Sequence, residues 1–542
     1  MHSVQGQRNR WVGMLFICIS LLVISLDNTV LNVALPSISN ELGASASQLQ
    51  WIVDAYVLVF AALLLTMGSV SDRIGRKRAL QIGVGWFGLF SLGAGLSSST
   101  NMLIVMRALL GFGGALIMPS TLSLITAMFR DPKERAQAIG IWAAIFGLGV
   151  GIGPILGGWL LQHYSWNSVF FINVPVATIA VIGGHFALKE SKDEHAPRPD
   201  FPGVLLSIGG LFSLVYGIIE AGQKSWTASN VLAAFGAAAV LLITFAVWEY
   251  RSSNAMLPVR FFKNMSFTGA NLALTLLMFS LFGSLFFLSQ YLQSVHGYSA
   301  LETGVRLLPM ALTMTVAAAS SARIARYVGT KLAVSGGILI AALALLTMAE
   351  TYTVGAPYGI LLFGLILLAI GLGTAMAPAT NSIMGSVPVD KAGVGSAMND
   401  TNRMVGGALG VAVLGTLMNN AYRHQIDTML AHLPSQPPAE LASAVRSSIQ
   451  GAHIAAAQVP VPAVAQQIIN GSNHAFVSGM NEGMMAAAII MGIASVVALI
   501  ILPAQVRPWH TVERPAEALG VEAGVAETGA AEVGASAVTV GD

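Results

Sequence analysis

Long apolar runs follow one another from Trp11 to about residue 503, separated by short polar breaks. An α-helix crosses a bilayer with ~20 apolar residues. Dividing the runs at their breaks predicts fourteen spans: roughly 11–34, 49–70, 79–97, 101–128, 136–160, 168–188, 203–221, 229–249, 267–292, 304–324, 332–349, 358–384, 393–418 and 484–503. The predicted fold class is an all-α membrane protein. Before the fourteenth span the pattern lapses over residues 420–483, a long outer loop with Pro434, Pro437, Pro438, Pro460 and Pro462. Short amphipathic helices on the membrane surface are expected there.

Composition sharpens this picture. Of 542 residues, 55% are hydrophobic and 10% charged, far from the ~25% charged of soluble chains. The net charge of +2 says little about partners, because in a membrane protein the placement of basic residues matters more than their sum. Of 27 Lys and Arg, 21 fall in the N-terminus, the even-numbered loops and the C-terminal tail, and only Lys224, Arg423 and Arg446 in odd-numbered loops. This asymmetry places both termini in the cytoplasm of a multi-pass plasma-membrane protein. Arg8 and Arg10 precede an apolar run with no small-residue cleavage site, which predicts a retained first span. Trp51, Trp159, Trp166 and Trp226 are expected as outer interfacial anchors, with Trp11 and Trp248 as inner ones. The lone Cys18 reads as a packing residue.

Two basic loops resemble each other: "GSVSDRIGRKRAL", Gly68 to Leu80, and "SARIARYVGTKLA", Ser321 to Ala333, with Ala322 taken to stand where Asp72 does. Such an echo predicts a duplicated transporter. The organisation expected is a cytoplasmic N-terminus (1–10), a six-helix bundle (11–188), a cytoplasmic linker (189–202), an inserted helix pair (203–249), a second six-helix bundle including the outer loop (250–503), and a disordered cytoplasmic tail (504–542).

Charges inside spans carry the candidate chemistry, since each costs ~3 kcal/mol at a span centre on insertion scales. Asp27 lies 17 residues beyond Arg10, roughly 25 Å along its helix, and Asp54 and Arg107 lie about 8 to 10 Å below the outer ends of theirs. If the first, second and fourth helices line one cavity, two carboxylates and a guanidinium share it. That set suits proton or cation exchange; a structural ion pair with Arg107 is the plainer alternative. In "MNDTNR", Met398 to Arg403, Asp400 is a transport candidate, with neutralisation by Arg403 on the same helical face as its alternative. Glu220 and Glu249 read as interfacial. The fifth span, "GLGVGIGPILGG", sets Gly149, Gly153 and Gly157 at fourfold spacing around Pro154, a pattern for close helix approach and a bend. After the second span, Gly68, Asp72 and the basic Arg73, Arg76, Lys77 and Arg78 suggest a conformational latch. The loop histidines His424, His432, His453 and His474 lack ligand spacing and are expected to be solvated, with no metal.

At these residues the chain resembles the major facilitator superfamily, and within it the 14-helix drug:proton antiporters that include the quaternary ammonium compound exporters. "LDNTVLNVALP" resembles their first-helix motif through Asp27, and "GSVSDRIGRKR" the superfamily's loop motif through Gly68, Asp72, Gly75 and Arg76. "RALLGFGGALIMP" resembles the fourth-helix motif, in which the arginine, here Arg107, is associated with proton coupling; "GLGVGIGPILGG" resembles the antiporter fifth-helix signature. "SWNSVFFINVP", Ser165 to Pro175, resembles a further element of the branch, and "WIVDAYVL" the second-helix start that carries a carboxylate role onto Asp54. The resemblance implies a proton-coupled secondary exporter of amphipathic, cationic compounds, working by alternating access with small-molecule cargo, protons and the bilayer as its partners. An exporter of an antibiotic, metabolite or amino acid is the same-fold alternative, and a non-transporting membrane sensor the rival from another class. No G-x-x-x-x-G-K-[ST] phosphate loop and no catalytic cluster is evident, so neither a nucleotide, another cofactor nor enzymatic activity is expected.

Overall fold

The computed structural model describes residues 2–129, 131–192, 200–221, 224–252, 259–387, 392–432 and 438–503. Those residues are helical, with no strand among them. The tail expected at 504–542 and half of the linker expected at 189–202 lie outside them. Six helices come first: α1 (His2–Leu42), α2 (Ala46–Ile74), α3 (Arg76–Gly95), α4 (Thr100–Met128), α5 (Pro132–His163) and α6 (Ser168–Ala187). The pair α7 (Phe201–Ala221) and α8 (Ser229–Arg251) follows, then α9 (Met265–Gln290). The stretch Ala300–Thr351 holds two helices, α10 (300–328) and α11 (330–351), because Gly329 breaks it at φ 83°. The chain ends with α12 (Tyr358–Gly385), α13 (Ala392–Ala431), α14 (Ala439–Ser447), α15 (Ile449–Ala457) and α16 (Pro462–Ile501). Each predicted span falls on one of these helices, to within about five residues at its ends except on α1, α13 and α16, which run well beyond theirs. Eleven stretches among the described residues are long and apolar enough by themselves to cross a membrane.

Local chemistry places the starts. Ser45 with Gln48 and Ser299 with Glu302 form reciprocal caps on α2 and α10, satisfying amide donors that a helix start leaves free. Ser99 and Asn264 cap α4 and α9. Gly75, at φ 109°, ends α2 and begins α3, a conformation that side chains disfavour. Gly329 plays the same part between α10 and α11. Aligning these two helix-breaking glycines puts Arg326, three residues before Gly329, opposite Asp72. The sequence alignment on Ala322 is thereby shifted by four residues, and the acid is still absent from the second copy.

Helices α1 to α6 pack on one another, as do α9 to α13 with α16, and the two sets meet along α2 with α13 and α5 with α10. Of the inserted pair, α7 lies against the first of these seams and α8 packs on α7. At that seam the Trp51 ring packs tilted against Phe212, with centres 4.9 Å apart, and Thr416 donates to the carbonyl of Ile218 at 3.2 Å.

Between residues 420 and 483 lie the two short helices expected, α14 and α15, but the other described residues there are largely extensions of α13 and α16 where a loop was expected. Helices α13 and α16 each run 40 residues, roughly 60 Å at ~1.5 Å per residue, twice what a bilayer core needs. They continue beyond it, and α14 and α15 fold against their extensions. Buried Gln450 on α15 reaches down to donate to Ser294 at 3.1 Å, just past the end of α9. His453 is half-buried and shares a 2.8 Å hydrogen bond with Asn473, so it is not a solvated histidine. Trp166 is likewise buried, at 3% exposure, and packs in the protein core where an interfacial anchor was expected.

Candidate functional site

Asp27 on α1 and Arg107 on α4 form a buried ion pair. Isolating two charges from water costs several kcal/mol per ion and is offset only where geometry and further hydrogen bonds are good. Here they are supplied. Arg107 Nε donates to the Ile52 carbonyl at 3.0 Å, and its guanidinium lies 4.4 Å from the centre of the Tyr56 ring. The second Asp27 oxygen accepts from Asn173 Nδ2 at 3.4 Å, and the same Asn173 amide donates to Ser91 at 3.0 Å. Three helices, α1, α4 and α6, thus meet at one carboxylate, and α2 and α3 hold its two partners.

Asp54 stands apart from this set. It is fully buried, and neither carboxylate oxygen has a hydrogen-bond partner among the described residues. One turn away on the same face of α2, Gln50 donates to the Val411 and Ala412 carbonyls of α13 at 3.1 and 3.2 Å. That face therefore looks across the seam between the two helix sets, whereas Tyr56 and the Ile52 carbonyl face α4. Asp54 makes no hydrogen bond or ion pair with Asp27 or Arg107.

Asp400 lies eight residues into α13 and does not pair with Arg403, whose Nε has no acceptor among the described residues. It accepts instead from Asn399 at 3.4 Å. The flanking amides reach outward: Asn399 accepts from Thr380 on α12 at 3.0 Å, and Asn402 donates to Asn271 on α9. The polar row is a junction of three helices. Of the two acids expected at interfaces, Glu220 pairs with Lys224 at 3.0 Å. Glu249 is buried at 2% exposure beside Gly203 and Asp200.

The glycines of α5 lie against α1. A Cβ on Gly149 would stand 2.5 Å from Ser25 Cβ, on Gly153 2.9 Å from Thr29 Cβ, and on Gly157 2.9 Å from a Val30 methyl. The same helix meets α10 across the second seam: a Cβ on Gly158 would be 2.5 Å from the Ala300 carbonyl oxygen, and one on Gly304 2.6 Å from the Pro154 carbonyl carbon. Backbone touches backbone there, at the end of the helices opposite the chain termini. Gln293 donates to the Val33 carbonyl at that end, at 3.0 Å.

In the loop after α2, Asp72 accepts from Arg76 at 2.6 Å across the Gly75 break. Glu190, beyond α6, accepts from the backbone amides of Lys77 and Arg78 at 3.0 and 3.2 Å, capping α3. Its carboxyl carbon would lie 2.6 Å from a Cβ on Gly75. Gly68 is less constrained: an added Cβ meets Pro119 at an ordinary 3.7 Å.

Sequence reading missed Asn173, Gln50 and Glu190. Asn173 sits in the quoted "SWNSVFFINVP" and Glu190 in the linker, but neither carries a pattern that names its partner. Among the described residues no group of three His, Cys, Asp or Glu is placed to hold a metal ion.

Comparison with known proteins agrees with this architecture. Residues 17–411 match the family described as Major Facilitator Superfamily. The chain is 34% identical over 527 residues to the tetracenomycin C resistance and export protein of Streptomyces glaucescens, covering 96% of each. It is 36% identical over 491 residues to the multidrug efflux pump LfrA of Mycolicibacterium smegmatis, covering 90% of this chain and 95% of that one. A crystal structure of a bacterial homolog of the human lysosomal transporter Spinster superposes with a TM-score of 0.60 at 18% identity, over 91% of this chain and 98% of the other.

Proposed function

The chain belongs to the Major Facilitator Superfamily, and from that premise we propose that it is a proton-coupled exporter of amphipathic, cationic compounds in the plasma membrane, with both termini cytoplasmic. Relatives named for drug efflux and for antibiotic export support the class of cargo. The observation that carries the coupling is Asp54, a buried carboxylate with no donor at the seam between the helix sets. Such a group must neutralise its charge with a proton or a cation. Competition between the two for one carboxylate is the simplest physical basis of antiport.

In this reading Asp27 and Arg107 are the second element. Their pairing holds the Asp27 carboxylate occupied while the seam beside α5 and α10 is shut, and loosening of α4 against α1 frees it to accept a proton. The sets 11–188 and 250–503 rock about the α2–α13 and α5–α10 seams, and the arrangement described is the one closed on the outer side. Gly149, Gly153, Pro154 and Gly157 keep α5 close to α1 so that they move as a unit. Asp72, Gly75, Arg76 and Glu190 tie α2, α3 and α6 at the inner side. Asp400 gives the second set an acid of its own.

The test is proton release from energised inside-out vesicles on adding a lipophilic cation such as ethidium. Release from the wild type and none from inserted Asp54→Asn or Asp27→Asn is the expected result. Release that survives both substitutions would remove these acids from the mechanism, and no release with any cargo would favour the sensor.

A further inference from the structure

We infer that the groove between α11 and α16, at the membrane level opposite the chain termini, is a binding site for a phospholipid with a primary ammonium headgroup. The groove has a volume of about 720 Å³ and grades from polar to apolar along a single stripe of α16: His474, Ser478, Asn481 and Glu482, then Met485 and Ile489. From Glu482 to Ile501 the helix rises roughly 29 Å at ~1.5 Å per residue, close to the thickness of a hydrocarbon core. Glu482 therefore stands where lipid headgroups lie, with the apolar half of the groove beneath it.

The facing wall is fixed. Tyr352, at the end of α11, stacks on Tyr291 with ring centres 5.7 Å apart and planes at 11°, and donates its hydroxyl to the Leu361 carbonyl at 2.6 Å. Tyr291 in turn donates to the Thr353 carbonyl at 2.7 Å. Asn481 donates through Nδ2 to the Tyr352 carbonyl at 3.0 Å, which sets the orientation of its amide. Its Oδ1 is then left buried with no donor among the described residues. Beside it Glu482 is exposed and forms no ion pair among those residues.

The missing chemistry is a cationic N–H donor. A buried acceptor without a partner costs about 1–3 kcal/mol, and an ammonium bearing hydrogens answers both Asn481 and Glu482 at once. A quaternary ammonium answers the charge alone. The apolar end fixes the rest of the ligand: below Ile489 the stripe continues through Ile493, Val496 and Ile500, each more than half exposed along the flank of α16. An acyl chain can follow that flank directly into the bilayer, whereas export cargo would have to leave the seams to reach it.

The full chain is inserted in nanodiscs of equal parts phosphatidylethanolamine, phosphatidylcholine and phosphatidylglycerol, then released for native mass spectrometry. Retained phosphatidylethanolamine in the wild type, reduced at least fivefold in Glu482→Gln and in the groove-filling Ala486→Trp, is the expected outcome, with Glu440→Gln, on α14, unchanged. Equal retention of phosphatidylcholine, preference for phosphatidylglycerol, or phosphatidylethanolamine retention indifferent to both groove substitutions would each overturn the assignment. So would a loss, on Glu482→Gln, of tetraphenylphosphonium binding alone, which would make the groove a cargo site. Because lipid retention is read without transport, the result is independent of whether the chain exports.

Discussion

Adding one methyl at Gly304 or Gly158 tests whether the α5–α10 seam is a moving contact. The Gly304 Cβ would lie 2.6 Å from the Pro154 carbonyl carbon and 2.9 Å from the Ile155 nitrogen, and the Gly158 Cβ 2.5 Å from both the Ala300 oxygen and Leu301 Cα. All four obstacles are backbone, so no side chain can rotate away. Relief requires the helices to separate by roughly 0.5–1 Å, and overpacking of that kind costs about 1–3 kcal/mol. If the seam exists only in the outer-closed state, the cost falls on that state alone and shifts its population by roughly 5- to 150-fold. The shift can be read in a Cys18→Ala background carrying Gln293→Cys, whose native amide bonds Val33 across the same end. Labelling by an impermeant maleimide from the outer side should accelerate by that factor in Gly304→Ala. Gly492→Ala, where a Cβ meets nothing within 4 Å, is the control. Unchanged labelling by a correctly folded Gly304→Ala chain would refute the idea that this contact opens.

Three further outcomes are expected. Arg107→Gln should destabilise the protein by on the order of 3–5 kcal/mol by stranding the Asp27 charge, and adding Asp27→Asn should restore most of it; additive losses in denaturant unfolding would mean the two are not coupled. Asn173→Ala removes a hydrogen bond to an ionised group, about 1.5–3 kcal/mol; coupled efflux should fall roughly tenfold or more with insertion intact, and wild-type flux would make Asn173 structural only. Burial lowers the pKa of His453, more than its bond to Asn473 raises it. The folded state then favours the neutral ring, so this contribution is complete above the unfolded value of ~6.5 and is lost as pH falls through the lower folded value. Hydrogen exchange in α15 should therefore rise on acidification below about pH 6.5, and His453→Gln should flatten that dependence; an unaltered profile would place the sensitivity elsewhere.

The sequence by itself determined the class and where the spans fall, because bilayer thickness imposes a length on every apolar run. It also named Asp27, Asp54, Arg107 and Asp400, because a charge in an apolar run is conspicuous whatever surrounds it. What it could not decide was pairing. Asp27, Asp54 and Arg107 are equally plausible partners by depth, and only the rotation of α2 about its axis separates them, turning Tyr56 towards α4 and Asp54 towards α13. Asp400 and Arg403 share a face by spacing, yet no ion pair joins them, and the amides beside them engage α9 and α12. Residues 420–483 read as a loop because prolines and small residues obscure the periodicity of helices that are stabilised there by one another. Hydrophobic length is a property of one segment; a hydrogen bond between helices distant in sequence is a property of the assembled bundle.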